Sequence, residues 1–263
     1  MITPKKILKF SFTFGILILG IVLIIIGGIW ASFYDFKGKL NITDLSYKID
    51  ADKNTTIRNI EIKIDCGEVE IYKGDTFSVE AKNVMEDHFS SSHRDDTVKI
   101  EYDLRNDWRY FICFDNSDSS NIPVFVITVP EQEYDKIVID LGVGKSKIDG
   151  LNCSELILDN GVGKTDVFGS TFKDVDIDGG IGEVDFSRCV ISGNCSIDGG
   201  IGEIDMELIG NISDYSFDVD NGIGKARIND RKASKYSSSG KKSHFDIDVG
   251  IGQIDIEIEP YPN

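Results

Sequence analysis

The chain has 263 residues, 28% of them charged, and a formal net charge of −17 at neutral pH. Lys5, Lys6 and Lys9 are the only charged residues before position 35, so the rest of the chain carries a net charge of −20. Such an acidic protein repels nucleic acid and anionic lipid headgroups, which argues against both as partners. The simpler interpretation of the charge is a well-solvated, soluble surface.

The first predicted element is a membrane-spanning helix. No charged residue occurs from Phe10 to Tyr34, and these 25 residues exceed the ~20 that a helix needs to cross the hydrocarbon region. Three lysines precede the span, which predicts a cytoplasmic N-terminus and an extracellular remainder. A cleaved signal peptide is the alternative, but the apolar region is long for one and Ile29-Trp30-Ala31 is a poor cleavage site.

The next part of the chain is predicted to be rich in strands but irregular. Alternating apolar residues predict strands at residues 58–64, 97–102 and 123–129. Asp65–Ile71 resembles a shortened copy of the repeat that follows. Polar loops are expected at 86–96 and 115–121, with a buried strand at 108–114 between them. No segment shows the periodicity of a soluble helix.

A Gly-Val/Ile-Gly tripeptide recurs six times at spacings of 19, 19, 20, 22 and 28 residues, which predicts a repeat architecture. The structural repeat glycines are Gly142, Gly144, Gly161, Gly163, Gly180, Gly182, Gly200, Gly202, Gly222, Gly224, Gly250 and Gly252. The residues five and three positions before each first glycine are apolar in every copy. The residues four and six positions after it are also apolar, with Ser146 and Thr165 as small exceptions.

Apolar residues at every second position are typical of half-buried strands, and the Val or Ile between the glycines is expected on the same inward face. The parity of the apolar positions changes after the second glycine, so the chain is predicted to bend there. Two strands and a return of about eight residues would form one rung, and successive rungs would stack as parallel strands. Antiparallel hairpins are the alternative, because Asn160-Gly161 and Asn221-Gly222 suit hairpin turns, although the other four copies lack that dipeptide.

An aspartate precedes each first glycine by two residues, namely Asp140, Asp159, Asp178, Asp198, Asp220 and Asp248. The alternation predicts that this column points outward, where stacked carboxylates ~5 Å apart repel by about 1 kcal/mol per pair in water. Bound calcium would offset the repulsion, and the candidate ligands are Asp178, Asp198, Glu183, Asp185, Glu203 and Asp205. Hydrogen bonds from backbone amides, or pairing with Lys145, Lys164 or Lys225, would offset it equally well.

Five cysteines, Cys66, Cys113, Cys153, Cys189 and Cys195, form no CxxC pair and have no metal-ligand spacing with the histidines. Their odd number requires at least one free or intermolecular thiol, and no disulfide pairing follows from the sequence. Cys195 falls in an apolar column and is predicted to be a core thiol.

The β-rich start that ends in Val126-Ile-Thr-Val-Pro130, and the repeats of the form Ile-x-Ile-Asp-x-Gly-x-Gly behind an N-terminal anchor, resemble the bacterial "putative adhesin" domain family over residues 45–258. The resemblance implies an all-β, right-handed parallel β-solenoid exposed at the surface of, most often, a Gram-positive bacterium. It brings no catalytic residues, because its motifs specify architecture and not chemistry.

The predicted organisation is a cytoplasmic tail (1–9), a membrane helix (10–34), a linker (35–44), an irregular β-rich part (45–130), regular repeats (131–259) and a tail (260–263). The predicted function is a non-enzymatic surface module that binds a cell-envelope polymer or a surface protein, with no cofactor and no small-molecule substrate. The basic segment 231–243 would suit an anionic polymer such as teichoic acid, or it is a plain surface loop. A regulatory or scaffolding partner in an envelope-stress membrane system and a carbohydrate-active enzyme remain as alternatives.

Overall fold

Strands form nearly all of the regular structure, as the alternating sequence predicts. The structure, a computed structural model, describes residues 42–48, 56–104, 122–232, 236–237 and 242–261. The helix predicted at 10–34, the strand at 108–114 and the loop at 115–121 lie outside the described residues. Within the described part of the chain, no helix is both long enough and apolar enough to cross a membrane.

Fourteen strands and two single-turn 3-10 helices, Glu86–His88 and Ile212–Asp214, make up the regular structure of the described residues. The strands are β1 (Ile42–Lys48), β2 (Asn59–Gly74), β3 (Ser78–Met85), β4 (Phe89–Arg94), β5 (Thr97–Tyr102), β6 (Val124–Pro130), β7 (Glu133–Asp149), β8 (Asn152–Phe168), β9 (Thr171–Ile191), β10 (Cys195–Ile209), β11 (Tyr215–Ile228), β12 (Arg231–Lys232), β13 (Tyr236–Ser237) and β14 (Ser243–Glu259). Residues Thr43–Asn263 belong to one compact unit.

Seven long strands stack in parallel as rungs, in the spatial order β2, β7, β8, β9, β10, β14 and β11. The glycines pair in register, with Gly163 between Gly144 and Gly182. All residues of the four predicted apolar columns are at most 5% exposed. The small exceptions Ser146 and Thr165 are also buried, and the Ser146 hydroxyl donates a hydrogen bond to Thr165 Oγ1 at 2.8 Å. The solenoid-like stacking is therefore confirmed, and the hairpin alternative is wrong.

The corner of each rung differs from the prediction. Val162 and Ile181, which stand between corner glycines, are 44% and 52% exposed, so the prediction that these residues point inward is wrong. The residue before the first glycine points inward instead, since Leu141 and Val249 are each 2% exposed. The bend therefore extends across the whole tripeptide and does not begin only at its second glycine. Alternation favoured the wrong position, because the residue between the glycines is Val or Ile in every copy, whereas the residue before the first glycine is Leu, Val, Asn or Gly.

Adjacent corners approach so closely that the second glycine has no room for a side chain. A Cβ on Gly182 would overlap the carbonyl oxygen of Gly163, and its φ of 149° is closed to most L residues. Gly179 is different, because a Cβ there would meet its nearest atoms, Asp198 O and Gly199 Cα, at 3.7 and 3.8 Å. We therefore expect alanine at these two positions of one rung to change the free energy of unfolding in opposite directions.

We expect Gly182→Ala to lower the free energy of unfolding by about 3 kcal/mol or more, because backbone strain adds to the overlap. Gly179→Ala is expected to raise it by up to about 1 kcal/mol, because alanine reduces the entropy of the unfolded chain without strain. Chemical denaturation of the Thr43–Asn263 unit measures the free energy of unfolding of both variants. Equal effects of the two substitutions would contradict the corner geometry.

The connections between the rungs from β7 through β8, β9 and β10 to β11 are shorter than the predicted return of about eight residues. β7 and β8 are joined by only two residues, Gly150 and Leu151, so each rung is nearly continuous strand. The 20-residue spacing comes from one extra residue, Arg188, which forms a bulge at φ 55° where the register between β9 and β10 shifts.

The last two rungs are stacked in reverse order. β11 follows β10 in sequence, but β14 lies between them and pairs in parallel with both. The short strands β12 and β13 pair antiparallel with β11. They cover part of the edge of the final rung and so limit edge-to-edge association. The expectation that rungs stack in sequence order is therefore wrong for this pair.

At the other end of the stack, β2 pairs with two separate strands. Its first half pairs with β5 and its second half with β6, while β4 and β3 extend these strands antiparallel. β2 itself is in register with β7, with Gly67 opposite Gly144, so the shortened repeat at Asp65–Ile71 is confirmed. The strands predicted at 97–102 and 123–129 are present as β5 and β6. Residues 86–96 were expected to be a loop, but they contain β4.

Candidate functional site

The corners stack into a ridge of exposed aliphatic side chains. In spatial order the ridge consists of Val162, Ile181, Ile201, Ile251 and Ile223, which occupy register positions ~4.8 Å apart on five successive rungs. Their exposed fractions range from 44% to 69%. Half of the large exposed apolar residues in the described part of the chain belong to this ridge, and such a patch is typical of an interaction surface.

The ridge ends towards the N-terminal side of the stack. On β7 the equivalent residue, Val143, is only half-buried, and on β2 it is Cys66, which is 3% exposed and disulfide-bonded. The exposed aliphatic surface therefore belongs to the rungs from β8 to β11.

The predicted aspartates lie beside the ridge as an exposed ladder, in the spatial order Asp140, Asp159, Asp178, Asp198, Asp248 and Asp220. We refer to them as the aspartate ladder. Lys63 occupies the same column on β2 and forms an ion pair with Asp140. Two residues earlier on the same arms, Asp176, Asp246 and Asp218 face the same side. The sequence pattern thus located this acidic surface.

Most of the aspartate ladder has no partner within the described residues. No ion pair or side-chain hydrogen bond reaches the last four of its carboxylates, Asp178, Asp198, Asp248 and Asp220. Lys164, one expected partner, lies across the corner and pairs with Asp166 at 3.2 Å and Glu183 at 3.3 Å. Among the described residues, neither lysine pairing nor amide hydrogen bonding offsets the repulsion for these four aspartates, so their negative charge remains available to an external cation.

The six predicted calcium ligands fall into two groups. Asp178 and Asp198 are neighbours in the aspartate ladder. The other four, Glu183, Asp185, Glu203 and Asp205, follow the corner on the second arm of β9 and β10. No three His, Cys, Asp or Glu residues in the described ranges are arranged to hold a metal ion. The calcium hypothesis stays a prediction.

Several carboxylates of the second arm have partners within the protein, both neutral donors and the basic residues Lys164 and Arg227. Ser187 Oγ donates a hydrogen bond to Asp185 at 2.9 Å, and Gln253 Nε2 donates one to Glu203 at 3.0 Å. Partial burial raises the pKa of Asp205, and the neighbouring carboxylates Glu203, Asp255 and Asp185 raise it further. Asp255 in turn pairs with Arg227. This arm is therefore partly neutralised from within.

A cavity of about 20 Å³ lies beneath the corner of β9 and β10. Gly179 and Gly199 line it at the inward position that Leu141 occupies on β7. Asn160 is 4% exposed, and its Oδ1 has no hydrogen-bond partner. A cavity of this size holds about one water molecule, which would satisfy that oxygen. It has no room for a small-molecule substrate.

The described cysteines other than Cys66 are free and buried, which confirms that a free thiol exists. Cys195 is 1% exposed, so its prediction as a core thiol is confirmed. Burial raises the pKa of Cys153 to about 12 and that of Cys189 to about 11. The thiolate, which is the nucleophilic form of cysteine, is therefore disfavoured at these two positions at neutral pH.

The basic segment 231–243 is described only in part. Arg231 and Lys232 form β12 and extend the edge of β11. Lys242 pairs with Asp214 at 3.0 Å. At least these basic residues have a structural role at the end of the stack.

Residues 57–207 match the model of the Toastrack DUF4097 family, which is more than half of the chain. The chain belongs to that family. A comparison with curated proteins found no matching sequence.

Three similar solved structures come from bacteria. A "putative cell adhesion protein" from Clostridium sporogenes is 16% identical, with a TM-score of 0.44, and the match covers 83% of this chain and 100% of that one. A "putative adhesin" from Bacteroides fragilis is 13% identical, with a TM-score of 0.45 and coverage of 82% and 97%. A "putative lipid binding protein" from Parabacteroides distasonis is 16% identical, with a TM-score of 0.34 and coverage of 84% and 98%. The family match over residues 57–207 confirms the expected family resemblance.

Repulsion within the aspartate ladder predicts a pH-dependent stability. Partial burial raises the pKa of Asp159, and Asp140 and Asp178 raise it further. Because this pKa is higher in the folded protein than in the unfolded chain, the charge destabilises the fold at neutral pH. That destabilisation disappears as the pH falls towards the unfolded pKa of ~3.9.

Asp159→Asn is therefore expected to raise the free energy of unfolding at neutral pH by less than about 1 kcal/mol, and the gain should shrink towards about pH 4. Denaturation curves of Asp159→Asn and of the unsubstituted protein at several pH values measure this gain in the free energy of unfolding. Asp166→Asn is the control, because it removes the ion pair with Lys164 and should give no gain. A gain for Asp159→Asn that is the same at every pH would show that repulsion is not its cause.

Proposed function

We propose that this protein is a membrane-anchored, extracytoplasmic, adhesin-like binding module that does not catalyse a reaction. The observation that carries the proposal is the ridge. Five β-branched aliphatic side chains lie in a line on the outside of a folded domain, beside carboxylates that have no ion-pair or hydrogen-bond partner among the described residues. A surface of this kind gains free energy when another molecule covers it.

The ridge also suits binding because its side chains are held in place before a partner arrives. Each one stands between two glycines, and the second glycine is fixed by its contact with the next rung. The corner backbone is shared between neighbouring strands, so the spacing of the ridge follows the spacing of the rungs, ~4.8 Å. Little conformational entropy is then lost on binding, which favours affinity.

The location outside the cell has two supports. The uncharged residues 10–34, preceded by three lysines, suit a helix that anchors the protein with its N-terminus in the cytoplasm. The disulfide of Cys66 persists in an oxidising compartment and is rare in the cytosol. We also expect the coil to be right-handed, as parallel crossovers between strands nearly always are.

Two observations favour a binding module over a carbohydrate-active enzyme. Glycoside hydrolysis commonly uses a pair of carboxylates that flank a bound sugar. The cavity beneath the corner is lined by one carboxylate, Glu203, and has the volume of one water. A larger depression of about 280 Å³ near Phe172 is also lined by one carboxylate, Glu133, together with Lys173. Neither of these two depressions has the pair of carboxylates that glycoside hydrolysis commonly uses.

Epitope tags at the two ends of the chain test the topology. Protease treatment of intact cells is expected to remove a tag placed after residue 263 and to leave one placed before residue 1. The protected N-terminal tag is the internal control for cell integrity. Protection of both tags would contradict the extracellular location.

Substitution of the ridge tests the binding role. We expect Ile181→Ser combined with Ile201→Ser to weaken retention of the protein on immobilised envelope polymer or matrix protein by at least about tenfold, because each covered isoleucine contributes ~1 kcal/mol. Ile212→Ser is the matched control, since Ile212 is 47% exposed but lies away from the corner. If the ridge variant binds like the control, the ridge is not the binding surface.

A further inference from the structure

The two sides of the ridge carry different charge. On the side of the first arms, the rungs β9, β10, β14 and β11 present seven outward carboxylates: Asp176, Asp178, Asp198, Asp246, Asp248, Asp218 and Asp220. Ser196 fills the eighth position. None of these seven carboxylates has a cation within 4 Å in the described residues. On the other side, the column next to the ridge is mixed, with Lys164, Glu183, Glu203, Gln253 and Lys225.

This asymmetry selects the charge of a partner. Neighbouring carboxylates on adjacent rungs are ~5 Å apart, and each pair repels by about 1 kcal/mol in water. A cationic group placed against the ladder interacts with several of them at once, whereas an anionic group adds to the repulsion. A second copy of the chain would bring an identical ladder and a net charge of −17 of its own. The partner that complements this surface is therefore a cationic molecule and not another copy.

The ridge shows that charge alone does not describe the partner. An inorganic ion or a small polyamine would neutralise aspartates but would leave the isoleucines in water. A partner that covers both features must carry apolar side chains in a row, with basic side chains along one flank. An amphipathic helix with lysine or arginine beside its apolar face has that arrangement.

The spacing of the ridge also fits a helix. Successive turns of an α-helix are 5.4 Å apart, and successive rungs are ~4.8 Å apart, so the two rows drift by only ~0.6 Å per turn. The five ridge residues span ~19 Å, which corresponds to ~13 residues of helix. Over this length the accumulated drift of ~2 Å is within the reach of flexible leucine and lysine side chains.

We infer that the ridge and the aspartate ladder together bind a cationic amphipathic polypeptide helix, which lies along the stacking axis with its basic flank on the ladder. The inference rests on the proposed binding function and names the chemical class of its partner. The aliphatic side chains provide the apolar contact, and the ladder sets the charge and the orientation of the helix.

A synthetic 14-residue helix of leucine and lysine, with leucine on one face, is the probe. The full chain is placed in nanodiscs of zwitterionic lipid, and binding to empty nanodiscs is subtracted. We expect saturable binding that weakens as salt increases, because exposed charges are screened. The same peptide with glutamate for lysine, and a peptide of scrambled sequence that lacks an apolar face, should not bind.

Charge variants locate the contact. Asp178→Asn with Asp198→Asn should weaken binding of the leucine–lysine helix by about tenfold at low salt. The control is Asp75→Asn with Glu80→Gln, which removes the same charge from exposed positions around the start of β3, far along the chain from the corner. Binding by the control should change by less than about twofold. Unchanged thermal melting of both proteins shows that neither substitution disturbs the fold.

Three outcomes overturn the inference: equal weakening by the ladder variant and its control, equal binding of the scrambled peptide, or a concentration-dependent dimer that Ile181→Ser with Ile201→Ser abolishes. If no lysine peptide binds while the ridge variant still loses retention on envelope polymer or matrix protein, the partner class is wrong and the binding function stands. If the ridge variant matches Ile212→Ser in both assays, both proposals fail.

Discussion

The close approach of one corner backbone to the next is the contact on which the rest of the structure depends. The second glycine of each corner lies so near a glycine carbonyl of the neighbouring rung that no side chain fits between them. This contact aligns the rungs at one point, and the strand pairing on either side follows from it. A slip by one residue would place a side chain in the contact and would also turn every apolar residue outward. The register is thus specified by backbone clearance and by burial together.

In-register stacking also explains why the fold is stable although its surface carboxylates repel one another. Like residues that repeat in sequence become neighbours in space, so the interior gains columns of aliphatics and the surface gains columns of aspartates. A fully buried aliphatic side chain stabilises the fold by about 1.5–3 kcal/mol. Repulsion between exposed carboxylates is screened by water and amounts to about 1 kcal/mol or less per pair. The interior columns outnumber the exterior ladder and are stronger per residue, so the fold persists although the ladder opposes it.

The sequence predicted the parts of this architecture that follow from alternation and recurrence. The buried columns, the parallel stacking, the outward aspartates and the core position of Cys195 all come from the side-chain period of a strand. The exposed position of Ile181 and its equivalents does not follow from the strand period, because alternation carries no information about a bend within the tripeptide. The inserted position of β14 could not be predicted either, since the apolar patterns of β11 and β14 are nearly the same and both suit the edge of β10. Arg188 was visible only as one extra residue in a spacing.

The reversed order of the last two rungs has a consequence for how the domain is completed and how it comes apart. β14 follows β11 along the chain, yet it is not the outer rung of this pair, because it is held on both sides by β10 and β11. β10 and β11 therefore cannot reach their final neighbours until β14 has been synthesised, because β14 lies between them. Once β14 is in place, it is hydrogen-bonded along both edges, so unfolding from this end of the stack must first detach β11.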